Sequence, residues 1–233
     1  MAIEAVRYEL RDRVAVITLD DGKANALSHA VIEALHGCLD RAEREAAAVL
    51  LLGRDRRLSG GFDLTVMGSG PESVRKLVTA GAELMLRLYM FPRPVVVACT
   101  GHALAAGAIL LLVADARFGA AGDFKIGLNE VSIHMTLPVF AMELARARLS
   151  KRHFTAAVAQ ARIYDPQAAV DAGYLDATAP PEQLLEVAFA QALQLTALPD
   201  PAFRATKERE RAAIVQFIRD TLVADMAALT GPQ

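Results

Sequence analysis

The sequence predicts an α/β layered fold with parallel strand pairing, and three observations lead there. Strand-like apolar runs alternate with segments of helical spacing through the first half of the chain. Two of those runs, 48–53 and 94–100, feed into turns built from small residues. After Pro138 the strand signals give way to helical ones. With 233 residues and 54% hydrophobic content, the chain can bury a large core in one main domain.

In order, residues 6–10 alternate and 14–19 carry a denser apolar pattern, and Arg11-Asp12-Arg13 joins them as a hairpin. A turn-rich connection over 20–27 leads to Ser28. Ser28 offers an N-cap for a helix with Val31, Ile32, Leu35 and Leu39 on one face. The buried strand 48–53 is followed by a basic loop, 54–57, and a turn over 59–64. Residues 67–71 read as a loop, and 72–90 have helical spacing through Val74, Leu77, Val78, Leu84 and Leu88. Short strands are expected over 115–120 and 124–131, the second running into a loop. The later helices are 139–147, 151–161, 166–172, where Gly173 has the position of a C-terminal cap, and 181–198. Residues 200–233 carry the charged run Lys207-Glu208-Arg209-Glu210-Arg211 and then an amphipathic helix through Ile214, Phe217, Ile218 and Leu222. The organisation expected is a core over 1–198 and a C-terminal helical segment over 199–233 that covers the core or mediates oligomerisation.

Several function classes drop out. A formal charge of −2 gives no reason to expect nucleic acid as a partner. Cys38 and Cys99 both lie in apolar patterns, so no disulfide framework is expected and a reducing compartment suffices. The longest apolar run, 103–114, is short of the roughly 20 residues that span a bilayer. Met1-Ala2-Ile3-Glu4 lacks a basic region followed by an apolar one, so the expectation is a cytoplasmic protein with no membrane partner. No histidine and cysteine spacing suggests a metal site, and no serine has the nucleophile-elbow context.

The chemistry gathers at the two small-residue turns. Gly101-His102-Ala103-Leu104-Ala105-Ala106-Gly107-Ala108-Ile109 takes a buried extended segment into a helix. Backbone amides approach a ligand closely only where no bulky side chain intervenes, and the first helical amides have no partner within the helix. The turn therefore suits an oxyanion, or else a tightly packed strand-to-helix corner. It does not suit a phosphate loop, because no Lys-Ser or Lys-Thr follows the glycines. Arg57-Leu58-Ser59-Gly60-Gly61-Phe62-Asp63-Leu64 is a second turn of the same kind.

Together these stretches resemble the crotonase family, the enoyl-CoA hydratase and isomerase superfamily. Leu58 to Leu64 matches its first signature, roughly Phe-Ser-Ala-Gly-Ala-Asp-Leu, and Gly101 to Gly107 matches its second, Gly-x-Ala-x-Gly-Gly-Gly. The resemblance implies a spiral of ββα units with a C-terminal helical region and an acyl-CoA thioester substrate. It implies no cofactor beyond the coenzyme A that is part of that substrate, and a homotrimer or dimer of trimers. By the same resemblance, the amides of Phe62 and Ala106 form the oxyanion hole. Ala24 and Ala26, in a Lys-x-Asn-Ala-Leu pattern, together with Ser59 and Gly60, lie along the CoA moiety. Arg57 is either a solvated loop charge or a partner of the CoA phosphates, and Lys207 is either a solvated helix charge or a CoA contact.

Family hydratases use two glutamates, one placing a water at C3 and one delivering a proton at C2. One of the two, its share of these steps left open, belongs three positions after the second oxyanion donor, and here that position is Ile109. The second belongs to a Pro-Glu-Val loop, matched by Asn129-Glu130-Val131. Glu130 is thus the one catalytic carboxylate carried over, with Ile109 an apolar pocket residue. This points to enolate chemistry on one base, as in 3,2-enoyl-CoA isomerases, or to weak hydration. The alternatives are another crotonase-type thioester reaction and a non-catalytic acyl-CoA binder. His134 stands where the family usually has glycine; it is read as a loop histidine, or as a pocket residue supplying a second acid or base.

Overall fold

In the computed structural model, residues 5–229 are described. The first half comprises β1 (Val6–Arg11), β2 (Val14–Leu19), α1 (His29–Glu45), β3 (Ala48–Leu52), β4 (Arg56–Ser59), α2 (Leu64–Met67), α3 (Pro71–Tyr89), β5 (Val95–Cys99), β6 (Gly101–Leu104), α4 (Ala106–Leu112), β7 (Ala116–Ala120) and β8 (Ile126–Gly127). The second half adds α5 (Val139–Arg148), α6 (Lys151–Val158), α7 (Pro166–Ala172), β9 (Ala177–Ala179), α8 (Leu184–Leu195) and α9 (Asp200–Leu229). The tetrapeptide read for an export signal lies outside the described residues, as do the last four residues of the C-terminal segment.

Local chemistry accounts for several boundaries. The β1–β2 hairpin runs from Val6 opposite Leu19 to Arg11 opposite Val14. Its turn residues Asp12 and Arg13 both have positive φ, 48° and 67°, a pairing whose twist matches that of the strands. The Ser28 side chain accepts from the Val31 amide and caps α1 as expected. Asp165 caps α7, Pro166 occupies its first position, and Gly173 ends it with φ 98°.

The strands form two sheets, one ordered β1-β2-β3-β5-β7-β9 and one ordered β4-β6-β8. From β2 onward all pairing is parallel. Each of β3, β5 and β7 leaves the larger sheet, adds a short strand to the smaller one, and then passes into helical structure. That triple repetition is the ββα spiral. It corrects two readings: Arg56 and Arg57 belong to β4 rather than to a loop, and a strand, β6, intervenes before the helix of the second turn. Period-two alternation divides the larger sheet between two cores. Ile17, Val49, Leu51, Val95 and Val97 face α1, α3 and α4, while Val14, Ala48, Leu50, Val96 and Ala98 face Leu184, Ala188 and Phe189 of α8.

The C-terminal segment is one continuous helix through the last described residues, packed on α3 and α5. Lys207, Arg211, Val215, Ile218, Leu222 and Met226 form its buried stripe at spacings of three and four. The two cations at the head of the stripe converge on Asp115, between β5 and β7. Lys207 Nζ lies 2.7 Å from its carboxylate and an Arg211 Nη lies 2.8 Å away. Asp115 also accepts from the Val95 amide, and Arg211 donates to the Tyr89 carbonyl. Burial draws the Lys207 pKa down to about 8 despite that partner. Asp115→Asn leaves the buried Lys207 without its counter-charge and Arg211 with only the exposed Glu210, a loss of about 3–5 kcal/mol for a broken buried pair. Urea unfolding checks this, and a midpoint unchanged from the parent protein would show that α9 is not anchored there.

Candidate active site

The first turn is held by a buried asparagine that the sequence reading passed over. Asn25, 2% exposed, donates through Nδ2 to the carbonyls of Leu19 and Leu58, at 2.9 and 3.1 Å. Its own carbonyl accepts from the Ser59 hydroxyl at 2.7 Å, and that hydroxyl also accepts from the Gly61 amide. These bonds tie the 24–27 segment to the end of β4. The Gly60 amide donates to the Ala24 carbonyl, the Leu27 amide donates to the Gly61 carbonyl, and Phe62 pairs with Leu27 in a parallel bridge.

The second turn rests directly on the first. A Cβ on Gly107 would come within 2.2 Å of the Ser59 carbonyl oxygen, so only glycine permits this contact between main chains. Gly61, at φ 100°, faces the other turn: a Cβ there would lie 3.0 Å from the Ala105 Cβ and 3.4 Å from the Ala106 nitrogen. Ala105 takes φ 50° and ψ −126°, a conformation that costs a non-glycine residue about 1–3 kcal/mol, and its amide is fixed by the Gly127 carbonyl. α4 then starts at Ala106. Neither the Phe62 nor the Ala106 amide is among the backbone donors used in the turns and caps of the described residues. Two unspent donors therefore sit on adjoining turns.

Pairing of β8 with β6 brings in the third component. Ala103 lies opposite Ile126 and Leu104 opposite Gly127, so the chain leaving β8 emerges beside the second turn. Three residues on, Glu130 opens a single 3-10 turn (Val131–Ile133), and its carbonyl accepts from the amides of Ile133 and Met135. The Glu130 side chain is 8% exposed, and its Oε2 has no hydrogen-bond partner. Burial away from water penalises the carboxylate and pushes the pKa up to about 7. Ile109, one helical turn after Ala106, is packed in the main core.

The other expected site residues divide. Ala24 and Ala26 are half-buried and Gly60 is exposed, all on the first turn's outer edge. Arg57 is half-buried in β4 opposite His102 and forms no ion pair among the described residues. Ser59 is fully buried with its hydroxyl spent inside the turn, where it braces the end of β4. The Lys207 ammonium is buried on Asp115 and is not on a solvated helix face. His134 ends the 3-10 turn at φ 61° and ψ 34°, the left-handed conformation that explains a glycine preference at this position. Its side chain is exposed along a shallow apolar groove with Val131, Met135 and Met142. Among the described residues no cluster of three or more His, Cys, Asp or Glu forms a metal site, and no helix is long and apolar enough to cross a membrane.

Comparison with known proteins bears on this arrangement. The family model described as enoyl-CoA hydratase/isomerase matches residues 9–229. A crystal structure of an enoyl-CoA hydratase/isomerase family protein from Pseudomonas syringae superposes with a TM-score of 0.96 at 42% identity, covering 98% of this chain and 100% of that one. A probable enoyl-CoA hydratase of Bacillus subtilis is 35% identical over 143 residues, covering 60% of this chain and 55% of that protein. Human mitochondrial enoyl-CoA delta isomerase 1 is 29% identical over 205 residues, covering 86% of this chain and 68% of that protein. A family match over nearly the whole chain, on a fold with two interlocked small-residue turns, makes this protein a member of the enoyl-CoA hydratase/isomerase family.

Proposed function

We propose that the protein is a 3,2-enoyl-CoA isomerase working with one acid/base, Glu130. The observation that carries this reading is that Glu130 is the one buried acidic side chain among the described residues. The position available for a second glutamate holds Ile109, packed in the core. A carboxylate with a pKa of about 7 takes a proton readily at neutral pH and gives it back. In the proposed reaction Glu130 removes a proton from C2 of a 3-enoyl thioester. The C2–H electron pair moves into the C2–C1 bond, and the thioester oxygen becomes an enolate oxygen. The amides of Phe62 and Ala106 donate to that oxygen. Collapse of the enolate re-forms the thioester carbonyl, the C1–C2 π pair becomes the C2–C3 double bond, and the C3–C4 π pair takes the proton from Glu130 to form the new C4–H bond.

The likeness to the human delta isomerase along most of this chain supports the same class of reaction. The names of other relatives point to hydration, which needs a placed water that an isoleucine cannot hold.

Paired assays with a 3-enoyl-CoA and a 2-enoyl-CoA test the proposal. Isomerisation should exceed hydration, and Glu130→Gln should lower it by about 100-fold or more. Hydration faster than isomerisation, or activity that survives Glu130→Gln, contradicts it. Because the base must be ionised, kcat/KM should rise with pH up to about 7 and level off above, reflecting the raised pKa. A profile already flat at pH 5 would contradict the buried-base account. Gly107→Ala drives a methyl group onto the Ser59 carbonyl and parts the two turns. It should lower kcat by about 10- to 100-fold with a much smaller change in KM, since oxyanion donors act chiefly on the transition state.

A further inference from the structure

The Phe62 amide belongs to a peptide plane that the backbone holds on one side. A trans peptide points its carbonyl and its N–H in opposite directions. The Gly61 carbonyl accepts from the Leu27 amide at 2.8 Å, so the Phe62 N–H is aimed away from Leu27. That bond alone leaves the plane free to tilt about it, and the companion bond, from the Asp63 amide to the Leu27 carbonyl, is long at 3.3 Å. Gly61 has no side chain to anchor, so the next hold along the chain is the Phe62 ring. The ring is half-buried against the main core and lies on α3 at Gly81. A Cβ at Gly81 would overlap the ring at Cε1 and Cζ and stand 3.6 Å from Cδ1. Gly81 is buried in the interior of the helix, where glycine is a worse helix former than alanine, and both of its chain neighbours are alanine. Its backbone is helical, so the space beside it and not its conformation calls for glycine. Gly37, inside α1, gives the contrast: it is exposed, and nothing lies within 4 Å of where its Cβ would be. Gly81 is thus a notch in α3 filled by one ring.

We propose that Gly81 is a positioning residue of the oxyanion hole: the notch it leaves in α3 seats the Phe62 ring, and the seated ring fixes the direction of the Phe62 amide. The inference rests on that amide being an oxyanion donor. A phenyl ring is rigid and turns on two bonds, so it escapes a methyl group in the notch either by swinging out of its seat or by moving the Phe62 main chain. Swinging out leaves the peptide plane free to tilt, and moving the main chain redirects the N–H. In both cases the donor is misaligned with the thioester oxygen, and a hydrogen bond weakens steeply with misalignment. The loss falls on the enolate, where negative charge is greatest, more than on the bound substrate. Gly81 acts through Phe62 and not by contact with the thioester.

The test combines kinetics on a 3-enoyl-CoA with infrared spectra of bound butyryl-CoA carrying an isotopic label in its thioester carbonyl, for the parent protein, Gly81→Ala, Gly81→Ala/Phe62→Leu and Gly37→Ala. Donors aimed at the carbonyl lower its stretching frequency, a signature that a purely structural role for the notch does not move. In Gly81→Ala that lowering should shrink, and kcat should fall about tenfold with KM changed by less than about threefold. The shorter leucine makes room for the new methyl group, so the double variant should recover most of the lost kcat and carbonyl shift. Gly37→Ala should match the parent in both, which separates the notch from the general effect of alanine in a helix. Should Gly81→Ala fail to fold, Phe62→Ala, which empties the seat, carries the test with the same expected losses. Parent values of kcat and carbonyl frequency in the folded variant overturn the inference, as does a loss that Phe62→Leu does not recover. A parent protein that binds the thioester without lowering its carbonyl frequency overturns it by its premise, the oxyanion role of Phe62, and not by the seat.

Discussion

The contact on which the rest of the site depends is main chain against main chain. Gly107 lies on the Ser59 carbonyl, and Gly61 faces Ala105 and Ala106. No side chain intervenes, so two amides on separate ββα units come to adjoining positions without any loop having to be long. The scaffold serves that contact: parallel pairing of β4 with β6 and of β6 with β8 sets the three units side by side. Asn25 and Ser59 then lock the first turn from behind, with the strain at Ala105 stored in the second.

Among the described residues, the buried Glu130 and the nearly buried Asp115 are handled in opposite ways. Asp115 faces Lys207, Arg211 and the Val95 amide, and so fastens α9 across the end of β5 and β7. Glu130 has no cation beside it, and burial lifts its pKa towards neutrality. In the first arrangement every buried charge has a partner, so removing either one strands the other. The second sacrifices stability as pH rises from 4.5 to about 7, where the carboxyl would ionise in the unfolded chain but stays protonated in the fold, and in exchange leaves a base whose Oε2 has no hydrogen-bond partner.

Much of this was legible in the sequence wherever the determinant was local. Ser28 before an apolar periodic run, and Asp165-Pro166 with Gly173 seven residues after the proline, mark helix ends by hydrogen bonds made within a few residues. The two turn motifs were legible as well, because close backbone approach demands small side chains. The short strands β4 and β6 were not, since four residues carry no clear periodicity and their pairing partners lie far along the chain, whereas β8 falls within the strand expected over 124–131. Lys207 and Arg211 sat inside a charged run that reads as a solvated face. Only the fold reveals that Asp115, 92 residues before Lys207, lies beneath them. Asn25 was hidden for the same reason: its partners in β4 are more than thirty residues away.

The most direct test of a buried, unpaired base is infrared titration of its carboxyl group, with Glu130→Gln subtracted as the reference. The account predicts a protonated-carboxyl band that disappears with a midpoint near pH 7 and is missing from the variant. A difference band with its midpoint near the ordinary glutamate value of 4.5 would contradict it, because Glu130 would then be solvated or paired and not the isolated base on which the proposed chemistry turns.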